Sequence, residues 1–302
     1  MLLLCGATGL LGGAIATRLV ARGVPCRALV RPRTDGSALE RLGVPVVRGD
    51  LVDLPSLDDA LQGVDTVVTT ANAIGRVLAG ATDVSIDAVD GQGNANLVSA
   101  AVGAGVQRFV FVSMAGIGDE VARHAPLARA KLQTEQLLRT SRLREVVVRP
   151  DKFQEVWLAP VSGIDPQRRR AIIYGRGRTP AAYVAVDDVA ELCTALAEHP
   201  DPPRMVQFGG PEALTRRQVV EAFEQAFGTR FRRIHVPRTA LALGSRALNH
   251  RKPALASLMG MELNADRHPP TWDAAPLRAL GVDPRPASTY IATLAADAAG
   301  RR

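Results

Sequence analysis

The chain is 302 residues long, 47% hydrophobic, with a formal net charge of +7. That is enough apolar sequence for a large core, as one big domain or a domain plus a smaller lobe, and no apolar run reaches the ~18 residues of a membrane helix. The charge does not argue for nucleic acid: only three of the 37 basic residues are lysine (Lys131, Lys152, Lys252), the arginines are dispersed apart from Arg168 to Arg170, and no aromatic interleaving or basic tail accompanies them.

Met1 to Gly12 reads as a buried strand running straight into a turn with Gly6, Gly9 and Gly12. Glycine lets backbone approach a pyrophosphate closely, and a helix opening there turns its free N–H groups and positive dipole end toward the phosphates. G-x-x-G-x-x-G in this context predicts a dinucleotide cradle contributed by Gly6, Thr8, Gly9, Leu10, Leu11 and Gly12. Leu10 to Arg22 has helical spacing and stops at Gly23. Val24 to Val30 is the second strand, followed by Arg31 and Arg33. NAD enzymes place an acid here for the ribose 2′-hydroxyl, whereas an arginine accommodates a 2′-phosphate. NADP(H) is therefore favoured over NAD(H).

Ser37 to Leu42 is a short helix and Val44 to Arg48 the third strand, ending before Asp50 and Leu51. Asp50 is either an adenine acceptor or, with Asp53, a cap for the helix Pro55 to Gly63. Val64 to Thr70 is the fourth strand, and the small residues Thr70, Ala71 and Asn72 at its end leave room for a cofactor. Ala73 to Thr82 is expected to be loop and Val84 to Ala104 one long helix. Gln107 to Ser113 is the fifth strand, Leu127 to Thr140 a helix, and Arg144 to Val148 the sixth strand, leading to Pro150 and Phe153.

This alternation predicts an α/β protein with a doubly wound parallel (Rossmann) sheet, whose ligands bind at the carboxyl ends of the strands. The expected division is a cofactor-binding domain over 1–155, with 181–210 returning to it, and a small α+β C-terminal lobe over 156–180 and 211–302. In the second half, strands are expected at Ala171 to Tyr174, Ala182 to Val186, Met205 to Phe208 and Phe231 to Val236, with helices over Asp187 to Glu198 and Thr215 to Phe227. Cys5, Cys26 and Cys193 have no metal-type spacing and read as buried thiols of a reducing cytoplasm; the five scattered histidines define no metal site. Met1 opens a core strand, so no signal peptide is expected before it and a cytoplasmic protein is.

Several segments carry a resemblance: GATGLLG at 6–12, RFVFVS at 108–113, ARAKLQTEQLLRTS at 128–141, VVVRPDKFQE at 146–155, YVAVDDVAE at 183–191 and LTRRQVVEAFEQAFG at 214–228. In this order they resemble the NmrA-like, NAD(P)H-binding group of atypical short-chain dehydrogenases/reductases. The resemblance implies the wound sheet, NADP(H) as cofactor, and an oxidoreductase activity on a small molecule, with no nucleic-acid or membrane partner and a monomer or homodimer as the assembly. The larger superfamily carries Tyr-x-x-x-Lys, the tyrosine as proton donor. Here Lys131 fits the lysine, but Leu127 stands where the tyrosine belongs, and Tyr174, Tyr183 and Tyr290 have no lysine four residues on. The hydroxyl after the fifth strand is Ser113 or, in the other register, the position is taken by Met114.

Two functions follow. One is a reductase passing hydride from NADPH to an electrophilic acceptor such as a quinone or enone, with the proton from water, the substrate or Lys131. Isoflavone-reductase-like enzymes use a lysine with a glutamate four residues later, a spacing that Lys131 and Glu135 match. Lys131 is then either a ribose ligand only or also the group that moves a proton. The other is a non-catalytic redox sensor that binds NADP(H). The expected cofactor contacts are the glycine turn, Arg31, Asp50, Leu51, Thr70, Ala71, Asn72, Ser113, Lys131, Pro150 and Phe153; the expected substrate pocket is Met114, Leu127, Trp157 and Tyr183.

Overall fold

A computed structural model describes residues 1–300. Its main sheet has six strands that follow the sequence: β1 (Leu2–Cys5), β2 (Cys26–Val30), β3 (Val46–Arg48), β4 (Thr66–Thr69), β5 (Arg108–Val112) and β6 (Arg144–Pro150). The strand Met205–Phe208 adds a seventh, and the order across the sheet is Met205–Phe208, β6, β5, β4, β1, β2, β3. β1 pairs in parallel with β2 on one side and β4 on the other, so the order reverses beside β1. This reversal point is where wound sheets receive ligands. The sheet is a Rossmann-type α/β fold, as the alternating pattern predicts.

The apolar runs explain the strands. All four residues of β1, and all four of β4, are buried. Leu3, Val67, Phe109 and Phe111 from the sheet pack with Leu57, Leu61 and Leu97 from its helices in one core cluster. Each such side chain contributes ~1.5–3 kcal/mol on burial. The three cysteines are buried free thiols.

The chain separates into two compact units. The first comprises residues 1–114, 127–149 and 189–206. The second comprises 115–126, 150–188 and 207–302. The second unit holds a three-stranded sheet, with Arg170–Tyr174 at its centre between Ile164–Asp165 and Arg232–Val236. Its core gathers Tyr183, Phe223, Phe231, Ile164 and Ile291. The helix Arg216–Ala226 starts from Thr215, whose hydroxyl accepts from Gln218 N while Gln218 accepts from Thr215 N, a complete capping box.

Three segments depart from the sequence expectation. The segment taken as loop contains the helix Ile74–Leu78. The expected long helix is interrupted: residues Asp87–Gly93 form a π-helical stretch before the α-helix Asn94–Gly103. Gly91 and Gly93 lie in this stretch, and a Cβ on Gly93 would sit 2.9 Å from Leu51 Cβ. The wide turns bury Asp90 and Asn94. The expected strand Ala182 to Val186 is not one. Pro180–Ala181 pairs with Leu214–Thr215, Val184 makes a lone bridge to Phe153, and Val186 already begins the helix Val186–Glu198.

Candidate active site

The glycine turn follows β1. Gly6 has φ +81°, and a Cβ there would sit 2.7 Å from Thr70 Oγ1, so glycine is required where the turn meets the end of β4. Thr70 ties the two together: its N–H donates to Cys5 O at 3.0 Å and its hydroxyl reaches Cys5 O at 3.3 Å. A Cβ on Gly12 would come within 2.1 Å of Gly6 O, which fixes how closely the helix Leu10–Ala21 approaches the turn. The first backbone bond of that helix is Gly13 N to Gly9 O, leaving the N–H groups of Leu10, Leu11 and Gly12 without helical acceptors. No acid stands in its first turn, Gly9 offers no side-chain cap, and Thr8, Gly9 and Leu10 are exposed. Uncapped N–H groups and an unopposed positive dipole end are what a pyrophosphate requires.

Around this turn the first unit collects most of the predicted cofactor residues. Arg31 follows β2, half-buried, its guanidinium 3.9 Å from Asp83. Asp50 follows β3 and its carboxylate accepts from Val52 N at 3.2 Å. Asp53 occupies the N-cap position of the helix Leu54–Leu61 but makes no side-chain cap bond. Leu51 is a core residue, and its carbonyl accepts from Asn96 at 2.9 Å. Ala71 and Asn72 follow β4, Asn72 donating to Thr70 O at 3.1 Å. Ser113 follows β5, and Met114, half-buried, comes next.

Lys131 lies in the helix Pro126–Thr140, 8% exposed. Its ammonium donates to Val112 O at 2.8 Å, at the end of β5, and lies 5.2 Å from the Phe111 ring centre. Burial pulls its pKa below the ordinary lysine value, while the charges of Asp90 and Glu135 act the other way. Asp90 is fully buried. One of its oxygens accepts from Ala73 N at 2.9 Å and the other has no partner. Burial pushes Asp90 up to about 6, against the pull of Lys131 and of the Ala73 bond. Ser113 Oγ is likewise buried without a partner. Two orphaned polar atoms, one on the π-helical stretch and one at the end of β5, fit a site that receives the polar groups of a dinucleotide.

The predicted pairing of Lys131 with Glu135 takes another form. Glu135 is 2% exposed and forms a two-pronged ion pair with Arg149, one bond at 3.0 Å. Leu127 is buried one turn before Lys131, so no phenol precedes the lysine on this helix.

The other predicted residues belong to the second unit. Pro150 is buried and its carbonyl accepts from Ala115 N at 2.8 Å. Phe153 stands at the N-cap position of the short helix Gln154–Trp157 without a side-chain cap bond. Trp157 is half-buried beneath the Lys152 ammonium, 4.6 Å from its ring centre, and Lys152 is ion-paired with Glu262. Tyr183, expected in a substrate pocket, is 2% exposed and packed in the second unit's core. The residues the sequence reading missed are Asp90, Arg149, Lys152 and Glu262. Only Asp90 left a trace: an acid among the small residues of DAVDGQG, at a place where a helix must press on a sheet.

Sheet topology and glycine turn define a dinucleotide-binding α/β protein. The chain belongs to the NAD(P)H-binding family of NmrA-like, atypical short-chain reductases: the family's NAD(P)H-binding profile matches residues 6–200. It is 31% identical over 246 residues, 80% of each chain, to a (4-alkanoyl-5-oxo-2,5-dihydrofuran-3-yl)methyl phosphate reductase of Streptomyces griseus. It is 29% identical over 230 residues to the chloroplastic protein High Chlorophyll Fluorescence Phenotype 244 of Arabidopsis thaliana, a match covering 75% of this chain and 55% of that one. The fold is shared with an NADPH-dependent quinone oxidoreductase of Escherichia coli solved with NADPH, at TM-score 0.76 and 20% identity, covering 97% of this chain and 99% of that one. No helix among the described residues is long and apolar enough to cross a membrane.

Proposed function

We propose that the protein is an NADPH-dependent reductase of conjugated, electrophilic acceptors, a quinone or an enone, and that it works without a tyrosine acid. The observation that carries this reading is the buried Lys131, bonded to Val112 O and within reach of the charge of Asp90, with Leu127 in the tyrosine's place. Bound NADPH supplies a hydride equivalent. The glycine turn holds the pyrophosphate, Arg31 receives the 2′-phosphate, and Thr70 to Asn72 and Ser113 border the nucleoside. Lys131, anchored to Val112 O, has further N–H bonds to offer a ribose hydroxyl.

An acceptor that takes hydride at carbon needs one proton on the resulting enolate or hydroquinone oxygen. Lys131 Nζ is the group with a lowered pKa at this edge, so it holds that proton and returns to charge from water. Asp90 is a positioning residue that keeps the ammonium charged against burial. A weak acid suffices only where the acceptor is already electron-poor, which selects quinones and enones over simple ketones. The name of the Streptomyces relative spells such a substrate, a ring carbonyl conjugated with the 2,5-dihydrofuran double bond.

The test is NADPH oxidation followed at 340 nm with menadione, a cyclic enone and a simple ketone as acceptors. Turnover of the first two and not the third supports the reading. Tight NADPH binding with no turnover of any of them overturns it in favour of a sensor.

A further inference from the structure

Arg31 is part of a cluster. Asp83 Oδ2 lies 3.9 Å from Arg31 Nη1, and the same carboxylate takes two hydrogen bonds from Arg76 Nη2, at 3.0 and 3.1 Å. Arg48 braces the turn from behind, donating to Thr34 O at 2.7 Å and Arg31 O at 3.2 Å. Arg76 and Asp83 are both exposed. The helix Ile74–Leu78 that carries Arg76 has no buried residue, and the Asp83 side chain is 63% exposed. Hydrogen bonding from Arg76, with the charge of Arg31 adding to it, keeps the Asp83 carboxyl below the usual carboxylate range. An anion held between two guanidinium groups, one of them at the end of the second strand, is the arrangement a 2′-phosphate asks for.

We infer that Arg76 is a second ligand of the 2′-phosphate beside Arg31, and that Asp83 is a built-in substitute for that phosphate, displaced when NADP(H) binds. The inference rests on the dinucleotide reading of the glycine turn. A dianion with three acceptor oxygens outcompetes a single exposed carboxylate, because exposed ion pairs of this kind hold weakly. Displacement frees the stretch 79–85 from Arg31, so the phosphorylated cofactor loosens this stretch and the unphosphorylated one does not.

The test is a titration of the full-length protein at low salt with NADPH, NADH, 2′,5′-ADP and 5′-AMP, read by calorimetry. Arg76→Ala weakens NADPH and 2′,5′-ADP about tenfold, the size of one lost charge-assisted bond, and leaves NADH and 5′-AMP within about twofold. Asp83→Asn tightens NADPH and 2′,5′-ADP about threefold by removing the competitor. Hydrogen exchange over 79–85 rises with NADPH and not with NADH. The inference is overturned if Arg76→Ala weakens both cofactors equally, or if Asp83→Asn weakens NADH and leaves NADPH unchanged, which makes Asp83 a ribose ligand. If wild-type protein binds neither NADPH nor NADH, the dinucleotide reading itself fails, a result distinct from either of these.

Discussion

Two of the three lysines lie over an aromatic ring, Lys131 buried and Lys152 half-buried, yet their surroundings act in opposite directions. Lys131 gives one bond to a backbone carbonyl and faces Asp90 and Glu135 only through longer-range charge; burial wins and its pKa falls. Lys152 is ion-paired with Glu262 over the Trp157 face; burial opposes its charge, but Glu262, Tyr183 and Asp151 outweigh it and its pKa rises. An ammonium whose charge is stabilised on every side is a structural tie. One whose charge is only half compensated is able to give up a proton. The proton role proposed for Lys131 and a stabilising role for Lys152 follow this contrast, and it can be broken at either end. The largest effect is expected at the first. Lys131→Met should lower kcat/KM for a quinone by about a thousandfold, within the range for a positioned acid.

Lys152→Met should act on stability instead. It leaves Glu262, 6% exposed, without a counter-ion, at a cost of about 3 kcal/mol in denaturant unfolding. The double variant Lys152→Met/Glu262→Leu should recover most of that loss, because a well-packed apolar pair replaces an ion pair at little net cost. If the single variant is as stable as wild type and loses turnover, the two lysines have been assigned the wrong way round.

The same contrast explains what was legible in the sequence. β1, β2, β4 and β5 are apolar runs bounded by glycine or polar turns, and period and burial agree, so their positions follow from the residues. The glycine turn stands out at Gly6 and Gly12, and each is required by a specific close approach. The electrostatic partners were not legible. Asp90 lies 41 positions from Lys131, and Glu262 lies 110 from Lys152; local spacing instead offered Glu135, which Arg149 takes. The π-helical turns that bury Asp90 were hidden because a run such as DAVDGQGNANLV has the same apolar spacing in either helix. Tyr183 was misplaced for a similar reason: beside YVAVDD, burial in a core and exposure in a pocket give the same pattern.

Asp90 supplies a third, smaller test. Its carboxyl, ordinarily near 3.8, is pushed up to about 6 in the folded chain. The folded state therefore holds this proton more tightly than the unfolded one, and stability contributed by the protonated form is lost as pH rises from about 4 through about 6. Between those limits the wild type should lose about 2 kcal/mol relative to Asp90→Asn, which cannot titrate. The difference between the two unfolding curves, measured at several pH values, isolates this group from the other carboxylates. Asp90→Asn should also move the pH profile of kcat while leaving NADPH affinity nearly unchanged, whereas a purely structural Asp90 would move neither.

The smallest expected effect separates charge from chemistry at the second lysine. Elsewhere this chain uses arginine for almost every cation, 34 times against three lysines. At 152 an arginine keeps what the site uses: a fork for Glu262 and a flat cation for the Trp157 face. Lys152→Arg should therefore shift unfolding by less than about 1 kcal/mol, the residue of added volume in a packed site. At 131 the same change replaces an ammonium that can lose its proton with a guanidinium that cannot, so Lys131→Arg should keep NADPH binding within about tenfold and still lose turnover. If Lys131→Arg remains active, the proton comes from water or the substrate, and Lys131 is a ribose ligand alone.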